Sequence, residues 1–205
     1  MAHIVSIIPA RKGSKGIKSK NIKLLNNHPL IAYSIATSKM STLISDTIVS
    51  TDCKEIAKIS TQYGASVPFL RPKNISGDLS LDREFFLHYL NFCKENNHTI
   101  PDLVVHFRPT TPLRKQSIID SAIKYMTNTP HCDSLKSMHI TGKIPYKLFT
   151  MNEDGMAKPF IEHPYLDDPE HYNLPRQLFE TIYCGNGIID IVRPSILLST
   201  GKLHG

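Results

Sequence analysis

The chain has 205 residues, of which 40% are hydrophobic and 20% are charged, and its formal net charge is +6 at pH 7. This composition excludes a collagen-like, coiled-coil or disordered chain and predicts one soluble globular domain. No apolar run approaches the roughly 20 residues that span a bilayer, and the first residues lack a basic leader, so we expect a cytoplasmic protein without a membrane partner.

The positive charge is concentrated in one segment. Residues 11–23 contain six lysines and arginines and no acid, so elsewhere the cations and the acids are equal in number. The segment has no aromatic residue on which a base could stack, which favours a small polyphosphate over a nucleic acid as the ligand. The four cysteines are far apart in sequence, and we expect them to be free thiols.

Short apolar runs predict the strands of a central sheet. The first run is typical of a strand buried on both faces, because it is apolar except for one serine. The predicted strands are residues 4–9, 47–50, 67–70, 103–107 and 188–192.

Helices are predicted between these strands from apolar positions at three- and four-residue spacing. Asp52 is predicted to cap one helix, with Glu55 at the spacing of a capping box. Gly64 suits the left-handed residue that ends this helix. Asp82 and Ser117 are predicted to start the next two helices.

Alternating strands and helices predict an α/β fold with a doubly wound, mostly parallel sheet. Residues 141–183 differ, because they are rich in proline and have little helical periodicity. We expect them to form an arm inserted into a single domain that spans residues 1–205.

Two loops that follow predicted strands carry the chemistry, because ligands of open α/β sheets bind beyond the carboxyl ends of the strands. Residues 9–17 combine two glycines with basic residues, a pattern that suits a phosphate group, although a solvated basic loop is the alternative. The pattern is neither a Walker loop nor a dinucleotide fingerprint. Residues 108–114 present two arginines and two threonines and suit an anionic group, the alternative being a stiff connection with surface arginines.

Six motifs, taken in order, resemble those of the acylneuraminate cytidylyltransferases, also called CMP-sialic acid synthetases. The likeness extends over nearly the whole chain and is greatest to the bacterial enzymes that activate legionaminic acid. The motifs lie at residues 8–17, 49–52, 69–72, 108–114, 175–177 and 186–191.

This resemblance implies a Rossmann-like nucleotidyltransferase that transfers CMP from CTP to the anomeric hydroxyl of a nonulosonic acid, with Mg²⁺ as cofactor and pyrophosphate as the second product. It implies a role in lipopolysaccharide or other cell-surface glycan synthesis, and a homodimer formed through the arm. Arg11 and Lys15 would be catalytic. The implied nucleotide-binding residues are Ala10, Arg11, Gly13, Ser14, Lys15, Gly16, Asn21, Arg71, Asp78 and Ser80. The implied sugar-binding residues are Arg108, Thr110, Thr111, Arg114, Arg176, Gln177 and Asn186.

The chain departs from the family pattern at several positions. Lys12 stands where the family usually has glycine or glutamine, and Asp82 replaces a small hydroxyl residue. The family's metal-binding Asp-x-Asp segment is not reached by Gly205, so we expect no metal ligand within this chain. Asp190 is expected to face the sugar or solvent, the alternative being a substitute metal ligand.

Two hypotheses therefore stay open. The first is an active cytidylyltransferase for legionaminic, pseudaminic or sialic acid. The second is a catalytically impaired homologue that binds CTP or serves as a dimerisation partner. No side chain is identified as the general base.

Overall fold

A computed structural model describes residues 2–13, 15–161 and 168–204. The chain divides into two compact units, the first formed by Met1–Ser137 and Gly187–Gly205 and the second by Met138–Asn186. None of the helices in the described part combines the length and apolar character needed to cross a membrane.

The described strands, in chain order, are β1 (Ile4–Pro9), β2 (Leu24–Leu25), β3 (His28–Pro29), β4 (Asp46–Ser50), β5 (Leu103–His106), β6 (Ser134–Ile140), β7 (Phe149–Met151), β8 (Ala157–Pro159) and β9 (Tyr183–Val192). The α-helices are α1 (Leu30–Met40), α2 (Lys54–Gln62), α3 (Asp82–Glu95), α4 (Gln116–Asn128) and α5 (Pro194–Thr200).

The central sheet has five strands in the order β4-β1-β5-β9-β6. Strand β1 pairs in parallel with both β4 and β5, so that Ile7 lies opposite Ile48 on one side and His106 on the other. Strand β9 runs antiparallel to β5 and places Asp190 opposite His106. The carboxyl ends of β1, β4 and β5 therefore meet at one edge of the sheet.

Two apolar clusters lie on opposite faces of this sheet, because successive residues of a strand point to opposite sides. Ile8 packs in a cluster with residues of α1, α2 and α4, whereas Ile7 packs in a cluster with residues of α3 and α5. Helices thus cover both faces, and the predicted α/β class with a mostly parallel sheet is confirmed.

The helix starts differ from several predictions. Helix α2 has Cys53 at its N-cap, and the carboxylate of Asp52 instead accepts a hydrogen bond from the backbone N–H of Lys12 at 2.8 Å. Leu81 is the N-cap of α3, and Glu84 accepts the Leu81 backbone N–H at 2.8 Å. Lys115 is the N-cap of α4. The predicted caps at Asp52 and Asp82 are therefore wrong by one position, and the predicted cap at Ser117 is wrong by two.

The predicted strand at residues 67–70 is also wrong. Ser66 forms an isolated parallel bridge with Ile48 of β4, and Leu70 forms another with Thr51, the residue after β4. Pro68 between them has no backbone N–H to donate, which prevents a continuous ladder. Gly64 does adopt a left-handed conformation at the end of α2, with φ of +86°, as predicted.

The second unit contains a short hairpin of β7 and β8 and three 3-10 turns, Pro145–Lys147, His171–Asn173 and Arg176–Leu178. Its described residues include no α-helix. The ring of Tyr146 stacks on Phe179 with centroids 5.8 Å apart, and the Lys147 ammonium donates to the Tyr172 carbonyl at 3.1 Å. The segment predicted as an arm, residues 141–183, lies within this unit.

Candidate functional site

A cavity of about 430 Å³ opens at the edge of the sheet where the parallel strands end. Three stretches of chain line it: the loop after β1, the segment that leads into α3, and the loop after β5. This is the location expected for a ligand site in an open α/β sheet. The lining residues used below are Arg11, Lys15, Lys20, Asn21, Arg71, Asp78, Ser80, Asp82, Arg108 and Thr110.

The carboxylate of Asp78 joins two cations of the basic loop. Arg11 donates from Nη1 to Oδ1 of Asp78 at 2.8 Å, and Lys15 lies with Nζ 2.7 Å from Oδ2. The hydrogen bond from Lys15, followed by that from Arg11, lowers the pKa of Asp78. Because two cations share one carboxylate, the three side chains together keep a net positive charge at the cavity. Ser14, predicted between these cations, lies outside the described residues.

Two polar contacts hold the basic loop in place. The amide of Asn21, a buried residue, donates to the Arg11 carbonyl at 3.0 Å, and Asp52 accepts the backbone N–H of Lys12. A Cβ added at Gly13 or Gly16 would meet no atom within 4 Å. The space above these two glycines is therefore open, and the loop can admit a ligand close to its backbone.

The guanidinium of Arg71 donates hydrogen bonds mainly to other groups of the protein. Its Nε donates to the Ser50 hydroxyl at 3.1 Å and its Nη2 to the Ser50 carbonyl at 2.5 Å, at the end of β4. Its guanidinium also lies over the ring of Phe85, 5.1 Å from the centroid. Burial lowers the pKa of Arg71 to about 10. Arg71 therefore lines the cavity and is hydrogen-bonded to the end of strand β4.

Arg108 is held between two carboxylates. Its Nη2 donates to Oδ2 of Asp82 at 2.7 Å, and its Nη1 donates to Oδ2 of Asp190 on β9. Burial acts to lower the pKa of Arg108, but the hydrogen bonds that Arg108 donates to Asp190 and Asp82 outweigh it and raise the pKa. Asp190 is 1% exposed, so the expectation that it faces solvent is wrong.

Arg114 and Thr111 support the loop after β5 and are not among the residues that line the cavity. Arg114 donates to the carbonyls of Ile188 at 2.6 Å and Arg108 at 2.8 Å, and burial lowers its pKa to about 10. The hydroxyl of Thr111 lies 3.1 Å from the position of a Cβ on Gly187, whose φ is +70°. The loop therefore packs closely against the backbone of β9.

His106 is a polar residue that the sequence interpretation did not assign. It lies on β5 against the rings of Phe85 and Phe86, whose centroids are each 5.4 Å away, and its Nε2 has no hydrogen-bond partner among the described residues. Burial, with the positive charge of Arg108, lowers the pKa of His106 to about 3. The imidazole is therefore neutral at physiological pH. The only sequence signal for this buried histidine is its position within the apolar run of a predicted strand.

The remaining predicted sugar-binding residues belong to the second unit. Arg176 and Gln177 line a cavity of about 270 Å³ within that unit, together with apolar residues such as Ile144 and Phe179. Asn186 is the last residue of the unit and lies on β9.

The carboxylates of the first cavity do not fit a magnesium ion. Asp78 is paired with Arg11 and Lys15, and Asp82 is paired with Arg108, so neither carboxylate is free of a cation. Mg²⁺ in proteins usually takes one or two free carboxylates together with phosphate oxygens. Within the described ranges, no three His, Cys, Asp or Glu side chains form a group that could hold a metal.

Comparison with known proteins gives consistent results. A family model described as cytidylyltransferase matches residues 5–153. A CMP-N,N′-diacetyllegionaminic acid synthase of Legionella pneumophila is 40% identical over 124 residues, which are 59% of this chain and 52% of that protein. An N-acylneuraminate cytidylyltransferase of Escherichia coli is 36% identical over 202 residues, which are 98% of this chain and 45% of that protein. The chain thus spans about half the length of these curated relatives.

Among solved structures, a CMP:2-keto-3-deoxy-manno-octonic acid synthetase complexed with CTP has a similar fold. The TM-score is 0.69 with 15% sequence identity, and the match covers 100% of this chain and 79% of that chain.

Proposed function

The chain belongs to the cytidylyltransferase family, as the sequence resemblance predicted, and from this membership we propose that it transfers CMP from CTP to the anomeric hydroxyl of a nonulosonic acid. The anomeric oxygen forms a bond to the α-phosphorus of CTP while the bond from that phosphorus to the bridging oxygen breaks. Pyrophosphate leaves with the electron pair, and the hydroxyl proton passes to solvent. Phosphoryl transfer of this kind requires positioning and cations rather than a covalent nucleophile.

The observation that carries the proposal is the pair of cations shared by Asp78. Arg11 and Lys15 contact one carboxylate in a cavity at the carboxyl edge of the sheet. A triphosphate offers several anionic oxygens in place of that single carboxylate. Arg11 and Lys15 would then bind the phosphates and stabilise the charge that develops on the leaving pyrophosphate, which is the proposed catalytic role of both residues.

The nucleotide and the sugar acid are proposed to share this cavity. Support for the nucleotide part comes from the lining residues Gly16, Asn21, Arg71 and Ser80. Ala10 and Gly13 are proposed to contribute through the loop backbone, and Ser14 is proposed as a further nucleotide-binding residue. For the sugar acid, Arg108 and Thr110 line the cavity, and Thr111 and Arg114 hold their loop. Arg176, Gln177 and Asn186 are proposed as sugar-binding residues of the second unit.

We propose a sugar acid of the legionaminic, sialic or pseudaminic type, activated for lipopolysaccharide or other cell-surface glycan synthesis. The cytoplasm is the proposed location, because CTP is made there. Mg²⁺ is proposed to enter with CTP and to be held by phosphate oxygens. Omission of Mg²⁺ from the assay would then abolish turnover, and its titration would follow the CTP concentration.

We also propose a homodimer formed through the second unit. Its described residues expose several large apolar side chains, among them Met151 at 72%, Met156 at 70% and Ile140 at 63%. Exposed apolar surface of this kind is typical of a protein interface. Light scattering with size-exclusion chromatography would give twice the chain mass of 23.1 kDa, and a monomer at micromolar concentration would contradict the proposal.

The test of the catalytic role compares two lysines of the same loop. Lys15→Met should lower kcat/KM for CTP by about 100-fold or more, because it removes a cation from the developing pyrophosphate. Lys18, which is exposed and does not line the cavity, provides the matched control, and Lys18→Met should retain wild-type kinetics. Equal losses in the two variants would show a general effect of loop charge and would contradict the assignment of Lys15. CTP binding without any turnover in the wild type would favour the impaired homologue.

A further inference from the structure

The charges around the first cavity are unevenly distributed. Arg11, Lys15 and Lys20 line it with Asp78 as the acid in contact with the first two. Arg108, on the other side of the cavity lining, contacts two carboxylates. The phosphates of a nucleotide are therefore attracted to the basic loop.

Arg108 is not free to turn toward an anionic ligand. Both of its terminal nitrogens are bonded, one to Asp82 and the other to Asp190. Asp190 is 1% exposed on β9, and its Oδ1 has no hydrogen-bond partner in the described part of the chain. The neighbouring His106 is neutral, so Arg108 is the cation that compensates the buried carboxylate. Release of Arg108 would leave Asp190 buried and uncompensated, which is energetically unfavourable.

Asp82 is the partner that a ligand can reach. Its side chain is 43% exposed and lines the cavity, and the ion pair with Arg108 uses Oδ2. The described residues place no hydrogen-bond donor on Oδ1 of Asp82. A carboxylate is an acceptor of hydrogen bonds with no donor of its own, so a neutral group that carries a hydroxyl or an N–H fits this position.

Resting on the proposed function, we propose that Asp82 is a specificity-determining residue, whose carboxylate accepts hydrogen bonds from a hydroxyl or acylamino N–H of the sugar acid. Arg108 is a positioning residue that fixes the Asp82 carboxylate, and Asp190 anchors Arg108.

The test is Asp82→Asn, which keeps the size of the side chain but presents amide hydrogens as well as an acceptor. The assay uses the nonulosonic acid that the wild type turns over best, together with analogues that each lack one hydroxyl or one acylamino group. The KM for the parent sugar acid should rise about tenfold in the variant, while the KM for CTP stays unchanged. At least one analogue should lose about tenfold in kcat/KM with the wild type and show no such loss with the variant.

Glu84→Gln provides the matched control. Glu84 lies two residues further along α3, does not line the cavity, and loses the same charge. It should retain the wild-type discrimination among the analogues. Thermal unfolding of both variants verifies that each is folded.

The outcomes separate the inference from the proposed function. Turnover by the wild type with unchanged discrimination in Asp82→Asn overturns the inference alone. A higher KM for CTP in the variant also overturns it, since Asp82 would then contact the nucleotide. No turnover by the wild type with any sugar acid overturns the proposed function, and the inference falls with it.

Discussion

The buried imidazole of His106 predicts a pH dependence of stability that can be calculated. Burial and the charge of Arg108 lower its pKa to about 3 from the ordinary value of 6.5. In the unfolded chain the imidazole takes up a proton near pH 6.5, whereas in the folded protein it stays neutral down to about pH 3. The unfolded state therefore binds more protons between these limits, and the folded protein loses stability as the pH falls from 6.5 toward 3.

The size of this effect follows from proton linkage. Well below pH 6.5, each pH unit contributes about 1.4 kcal/mol. Between pH 7 and pH 5, His106 should therefore lower the free energy of unfolding by about 2 kcal/mol. This result requires only that the pKa of His106 in the folded protein lie well below 5. His88 and His204 also have pKa values lowered by burial, and they contribute in the same direction.

The measurement compares urea unfolding at pH 7, 6 and 5 for the wild type and for His106→Phe. Phenylalanine replaces the imidazole by a ring that cannot take up a proton, in a site already lined by Phe85 and Phe86. The contributions of the other histidines cancel in the difference, so the variant should lose about 2 kcal/mol less than the wild type over this range. His131→Phe, at an exposed position, is the matched control for the exchange of an imidazole for a phenyl ring. Equal slopes for the wild type and His106→Phe would refute the reasoning.

Two further predictions concern side chains with several partners. Asp78→Asn should tighten CTP binding about two- to fivefold in calorimetry, because Arg11 and Lys15 no longer have to leave a carboxylate; weaker binding would instead mean that Asp78 contacts the nucleotide favourably. Arg193→Met should lower the free energy of unfolding by about 2–4 kcal/mol in urea, because Arg193 donates to the carbonyls of Met126, Thr129 and Cys132 at the end of α4. A change below about 0.5 kcal/mol, the range of ordinary surface substitutions, would contradict this role.

Much of the fold could be predicted from the sequence because its strongest signals are local. Strands β1 and β5 are apolar runs buried on both faces, and their periodicity differs clearly from that of the helices. The predicted cap at Asp52 is wrong because its carboxylate accepts the backbone N–H of Lys12, 40 residues away. Asp52 and Glu55 have the spacing of a capping box, but the Asp52 carboxylate makes a tertiary hydrogen bond instead of a cap.

The basic residues of the candidate site could be predicted from the sequence. Arg11, Lys15 and Arg108 follow the carboxyl ends of parallel strands, and topology alone brings such positions to one edge. The carboxylates that fix Arg108 could not be found in this way. Asp190 lies 82 residues from Arg108, and their contact depends on the antiparallel register of β9 against β5, which no local pattern specifies.

The most direct test of the proposed transfer uses a nonulosonic acid labelled with ¹⁸O at its anomeric hydroxyl, incubated with CTP and Mg²⁺. Attack by this oxygen on the α-phosphorus predicts one equivalent of unlabelled pyrophosphate for each CMP-sugar, with the label retained in the bond between sugar and phosphorus. Mass spectrometry reads both products. Release of inorganic phosphate in place of pyrophosphate, or a CMP-sugar without the label, would contradict the account.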